Sequence, residues 1–139
     1  MSKIFVDTSF IISLFRKNDS NHELTKKYAY LIDENECYIT NAILTEIITV
    51  LMKKTKNIQL VETAYFYLND NFIIVNEYDI EDYNEKVFNI FQKYNQNAFR
   101  VSFVDCSSII ILNYSNLDVV LSLDKGFKLF DEIDLFELH

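Results

Sequence analysis

Proline is absent from this chain and Gly126 is its only glycine. That scarcity restricts the backbone more than any single motif does. Tight two-residue hairpins lean on glycine for left-handed conformations, so a sandwich of hairpins is disfavoured. Glycine-rich phosphate loops are removed too, because the P-loop and the GxGxxG turn both need several glycines for close backbone approach. What remains is a fold with open or helical turns, cornered by Asn and Asp.

The apolar pattern alternates between short runs and helical intervals. Lys3 to Asp7 reads as a buried strand, and a helix follows from about Ser9 to Lys17. Ser20 and Glu23 have capping-box spacing, and the helix they start carries Leu24, Tyr28, Leu31 and Ile32 on one stripe. Cys37 to Thr40 is the second strand. A helix from about Asn41 to Lys53 turns Ile43, Ile47, Ile48 and Leu51 inward, and another near Ile58 to Leu68 turns in Val61, Ala64, Tyr65 and Leu68. Phe72 to Val75 is the third strand. Asp79 to Asp82 again has cap spacing, ahead of a stripe of Ile80, Tyr83, Val87, Ile90 and Tyr94. Ser102 to about Tyr114 is apolar nearly all round and is expected to be buried. Val119 to Leu123 and Leu135 to Leu138 complete the strands. This alternation predicts a three-layer α/β/α sandwich around a central, mostly parallel sheet. No repeat, linker or low-complexity tract divides it, so residues 1–139 are expected to form one domain.

Composition narrows the class. Half the residues are hydrophobic and 15% aromatic, enough for a packed core and against disorder. The longest purely aliphatic run, Ile109 to Leu112, is far too short for a membrane span. Met1 leads directly into a strand without the parts of a signal peptide, and Cys37 and Cys106 are expected as buried free thiols. A cytoplasmic location is expected.

Four acids stand out by position. Asp7 closes the apolar run Ile4-Phe5-Val6, and Asp124 closes Val119 to Leu123. Glu46 lies mid-helix between Leu44 and Ile47, where neither a cap nor a turn explains it. Asp105 opens the most apolar helix, where burial demands a partner for its charge. In a parallel α/β sheet, strand carboxyl ends and helix amino ends meet along one edge, where ligands bind. Four carboxylates converging there repel unless a divalent cation or shared protons neutralise them. The simplest reading is a Mg²⁺ or Mn²⁺ site, since oxygen ligands suit those ions over zinc. Bland roles exist for each acid: a cap at Asp7 and Asp105, a solvated face for Glu46, a turn before Gly126 for Asp124.

Thr8 and Ser122 are candidate hydroxyls behind the acids. The formal charge of −8 argues against a broadly nucleic-acid-binding surface, although two divalent ions would leave about −4. Basic residues are grouped, and Lys53, Lys54, Lys56, Arg100 and Lys125 are candidate phosphate contacts. His22 and His139 support neither a catalytic triad nor a zinc site, and the cysteines lack metal-ligand spacing.

In order, FVDTS, TNAILTE, SFVDCSS and LSLDKGF resemble the PIN-domain family of Mg²⁺-dependent ribonucleases, and most closely its compact VapC-type toxins. The resemblance spans essentially the whole chain. It implies an acidic quartet at Asp7, Glu46, Asp105 and Asp124, with Asp7 and Asp105 as direct ligands. It also implies hydroxyl support from Thr8 and Ser122. The implied reaction is hydrolysis of RNA phosphodiesters to 5′-phosphate and 3′-hydroxyl ends. The implied partners are an RNA substrate, a second copy of the chain and a small antitoxin; Phe10, Leu14 and Phe15, three large apolar groups on the short helix beside Asp7, are where an antitoxin would cover the cleft, unless they pack in the core. A PIN-like RNA-processing factor, or a scaffold that binds without cutting, is the alternative. A haloacid-dehalogenase-like phosphatase needs a second acid where Ser9 stands, and a receiver domain needs paired acids where Thr8 stands.

Overall fold

A computed structural model describes residues 1–139. Four strands form one sheet in the order β3-β2-β1-β4: β1 is Lys3–Val6, β2 Glu36–Thr40, β3 Ile73–Val75 and β4 Val119–Leu121. Every pairing is parallel, with Phe5 beside Tyr38 on one side and beside Val120 on the other. Strands buried on both faces read as continuous apolar runs, which is why Ile4, Phe5 and Val6 are each at most 2% exposed.

Seven α-helices cover the sheet: α1 Thr8–Phe15, α2 His22–Tyr28, α3 Tyr30–Glu34, α4 Asn41–Thr55, α5 Ile58–Asn71, α6 Tyr83–Tyr94 and α7 Phe103–Ser115. α2 packs on α1, α1 on α4 and α4 on α5, and α6 packs against α7. The result is the expected α/β/α sandwich. No helix is long and apolar enough to cross a membrane. Cys37 and Cys106 are buried free thiols, and burial pushes them up to about 12 and about 11.

The connectivity decides where a ligand fits. From β1 the chain steps outward to β2 and β3, then returns to place β4 on β1's other side. The reversal lies between β1 and β4, and crevices open at such switch points beyond the strand carboxyl ends. Asp7 and Asp124 follow those two strands.

Some local expectations are corrected. Leu135 to Leu138 form no strand; Leu135 makes a single parallel bridge to Val120, after which Phe136 packs edge-on against Tyr28 at 5.8 Å. Asn21, not Ser20, precedes α2, and Asp19 organises that turn by accepting the Asn21 amide and the Ser13 hydroxyl. Asp82 adopts φ 55°, in the left-handed region, and its side chain caps nothing. Tyr65 faces solvent, while its neighbour Tyr67 packs against Phe15 and Phe72. Phe10 is fully buried core, so it is unavailable to a partner at the surface.

Candidate metal-assisted hydrolytic site

A cavity of about 430 Å³ opens at the switch point, and Asp7, Glu46, Asp105 and Asp124 all line it. Each acid is delivered by a different piece of local structure. Asp7 is the N-cap of α1, its Oδ2 accepting the Ser9 amide at 3.3 Å. Glu46 projects from the second turn of α4, whose start is capped by Thr40. Asp105 lies in the first turn of α7, its amide donating to the Ser102 hydroxyl at 3.0 Å. Asp124 heads the 3₁₀ turn Lys125–Leu129 and accepts the Gly126 amide at 2.8 Å. The bland roles of Asp7 and Asp124 are therefore real, and they orient carboxylates that line the cavity, whereas the cap of α7 is Ser102 and not Asp105.

Gly126 earns its place through close approach. A Cβ there would meet Asp124 Oδ1 at 3.0 Å, so a side chain would press on the carboxylate that caps the turn.

Asp7 is the most constrained member. It is 6% exposed. Its Oδ2 also accepts the Ser9 hydroxyl at 2.8 Å and the Ser122 hydroxyl at 2.9 Å, while Oδ1 accepts nothing. Those hydroxyls are themselves aimed: Ser9 Oγ accepts the Leu123 amide at 3.0 Å and Ser122 Oγ accepts the Asp124 amide at 2.9 Å. Ser122 thus stands behind Asp7. Thr8 does not; its Oγ1 is buried without a partner, and Thr8 lines the cavity itself. The sequence reading named Thr8 for that role; Ser9, one residue further into α1, takes it instead.

The charges feel one another. Burial raises the Asp7 carboxyl, opposed by the Ser9 and Ser122 hydrogen bonds and reinforced by Asp124. Burial, followed by repulsion from Asp7 and Asp124, pushes Asp105 up to about 6. Glu46, at the exposed mouth, is raised by partial desolvation and by Asp7. Such a set favours a bound cation, which lowers the cost of ionising all of its members.

The donor chemistry fits a hard divalent ion. Every candidate ligand is oxygen, no His or Cys lines the cavity, and Thr8 supplies an orphaned hydroxyl. No three His, Cys, Asp or Glu side chains stand close enough to clamp one ion among them. That spacing is wrong for a closed protein cage. A Mg²⁺ ion held here would keep several waters and take only one or two of these carboxylates.

The other candidate contacts divide. Lys54 lines this cavity, Lys125 lines an adjoining one beside Asp124, and Lys53 and Arg100 line neither. Asp19 and Asn21 also reach the cavity wall and went unforeseen. The turn that carries them has no periodic signal.

A family model described as the PIN domain matches residues 4–133. The chain belongs to the PIN-domain family. Among solved structures it is similar to Mycobacterium tuberculosis VapC20, a sarcin-ricin loop cleaving toxin. That match is 23% identical, covers 94% of this chain and 98% of that one, and has a TM-score of 0.74. It is also similar to VapBC2 from Rickettsia felis, solved bound to a DNA fragment from their promoter, at 11% identity, 99% coverage of each chain and TM-score 0.71. A third likeness is to PAE2754 from Pyrobaculum aerophilum, at 14% identity, 96% and 89% coverage and TM-score 0.66. A search of curated protein sequences found no significant match. At these identities the structural likenesses carry the fold.

Proposed function

We propose that this chain is a Mg²⁺- or Mn²⁺-dependent ribonuclease and the toxin of a VapBC-type pair. In this reading it is a single cytoplasmic domain that acts as a homodimer and is held by a small antitoxin. One observation carries the nuclease reading: four carboxylates from four separate elements line a single cavity at the switch point of a parallel sheet. The family and its VapC-like neighbours support the toxin reading.

Asp7 and Asp105, the two deepest of the four, are the direct ligands in this reading, with Asp7 oriented by its two serines so that Oδ1 is left for a ligand. Glu46 and Asp124, both exposed at the rim, hold an ion through water or orient the attacking water. The chemistry a bound divalent ion supplies is activation of water and compensation of charge on the phosphate and leaving oxygen. Thr8 adds a buried hydroxyl that can donate to a phosphate oxygen or to water. A scaffold that binds RNA without cutting is the second reading, favoured by the absence of any tight three-carboxylate cluster.

An RNase assay on purified parent and Asp7→Asn protein, with Mg²⁺, Mn²⁺ or EDTA, separates the two. The nuclease reading expects cleavage that disappears both in EDTA and in Asp7→Asn. Equal residual cleavage by Asp7→Asn would identify a contaminant, and metal-independent RNA binding alone would favour the scaffold. Co-purification with the product of a neighbouring small reading frame, with loss of cleavage, is the expected sign of a toxin.

A further inference from the structure

Only two acids of this chain are buried, Asp7 and Glu77, and Glu77 lies outside the acidic cavity. It is 1% exposed. Parallel pairing brings it there: Thr40, the last residue of β2, is the partner of Val75, the last residue of β3. From Thr40 the chain enters α4 at once, and two residues beyond Val75 it enters the 3₁₀ turn Glu77–Asp79. Asn76 closes that turn by accepting the Tyr78 amide at 3.2 Å. Glu77 Oε2 then accepts the Ala42 amide, 35 positions away, at 3.0 Å. Thr40 Oγ1 accepts the next amide, that of Ile43, at 3.2 Å. Two free amides of α4's first turn are thus held, one from within and one from across the sheet edge.

A buried carboxylate ordinarily needs a cation beside it. Both salt bridges of this chain lie elsewhere, and Glu77 Oε1 has no partner at all. What Glu77 meets instead is the amino end of α4, where aligned peptide dipoles present partial positive charge. An acid kept with one oxygen unmatched is a costly choice for stability alone.

The helix it holds carries Glu46. Ala42 and Glu46 are one turn apart on the same face. Asp7 and Asp124 are each steadied by hydrogen bonds to their own carboxylates. The Glu46 carboxylate has no hydrogen bond and no salt bridge, so only the backbone of α4 decides where it stands.

We propose that Glu77 is a positioning residue, which sets Glu46 in the cavity by pinning the first turn of α4 at Ala42. This rests on the role given to Glu46 in the nuclease reading and deepens it.

Hydrogen exchange and kinetics together test it. In EDTA and without RNA, Glu77→Ala should speed exchange of the Thr45 and Glu46 amides by about tenfold, with α5 amides at the parent rate. Glu77→Gln keeps an oxygen for Ala42 but loses the charge facing the dipole, so its effect should be about threefold. It carries the comparison if the alanine variant does not fold. Asn57→Ala removes the equivalent cap of α5, an acceptor of the Leu60 amide, and should leave Thr45, Glu46 and cleavage unchanged. In the metal-dependent RNase assay Glu77→Ala should lower kcat by about tenfold. Added to Glu46→Gln it should lower kcat no further, since a residue acting through Glu46 has nothing left to act on. Losses that multiply, exchange that quickens equally in α5, or an Asn57→Ala variant that matches Glu77→Ala overturn the assignment. Cleavage and exchange both at parent levels in Glu77→Ala sink Glu77 alone. The local exchange effect in a chain that shows no metal-dependent cleavage retains the pin on α4 and sinks the nuclease reading.

Discussion

Ser122 and Asp7, 115 positions apart, meet where the Ser122 hydroxyl donates to Asp7 Oδ2 at 2.9 Å. The same Ser122 Oγ accepts the Asp124 amide at 2.9 Å. The contact therefore ties the turn holding Asp124 to the carboxylate at the end of β1. Positioning partners of this kind are typically worth about 10–100-fold in metal affinity or activity. Ser122→Ala should lose activity within that range and raise the Asp7 pKa, moving the acid limb of the pH–rate profile upward. Unchanged activity and an unchanged profile would remove Ser122 from the site.

Thr8→Val tests the orphaned hydroxyl. A buried polar group without a partner costs about 1–3 kcal/mol, so the valine variant should be more stable in EDTA, by roughly 1 kcal/mol. Activity should fall if that oxygen serves a ligand. A less stable variant in thermal melts would mean that the hydroxyl already has a partner.

Metal-free stability should depend on pH through Asp105. Its folded pKa, pushed up to about 6, exceeds the ordinary value of 3.8, so the folded chain holds a proton that the unfolded chain releases. The associated stability is fully present below the ordinary value and is lost as pH rises through about 6. Asp7 and Glu46 shift the same way. Melting in EDTA should therefore occur at a lower temperature at pH 7.5 than at pH 5, and Asp105→Asn should flatten the difference. A melting temperature that climbs over this range contradicts the repulsion described here.

Divalent ions should reverse that trend. A ligand present at about a hundredfold over its dissociation constant stabilises the native state by about 2.7 kcal/mol. Mg²⁺ or Mn²⁺ should thus raise the melting temperature by several degrees, more at pH 7.5 than at pH 5, where protons compete. Asp7→Asn should abolish the shift. Equal shifts in parent and variant would place the ion elsewhere.

Much of this was legible because burial leaves a plain trace in sequence. Ile4-Phe5-Val6 and Val119-Val120-Leu121 sit in the sheet as their apolar runs require, and the acid after each run falls at the switch point. Glu46 was legible as an acid on a helix with no local reason to be there. Hidden features depend on backbone geometry without a period. Whether Ser9 or Thr8 turns back to Asp7 is set by where α1 begins. Asp79 to Asp82 satisfied a spacing rule, yet Asp82 took a left-handed conformation and its carboxylate was withdrawn from the cap. Leu135 to Leu138 had strand-like residues but only one partner position on Val120.

The placement of β4 beside β1 has a consequence in time. Ribosomes release Asp7 early and the Ser122–Asp124 turn late, and the serine hydroxyl that steadies the first acid arrives with that second segment. A growing polypeptide shorter than this lacks one wall of the pocket. On the reading proposed above, half-made copies are inactive by the order of translation itself.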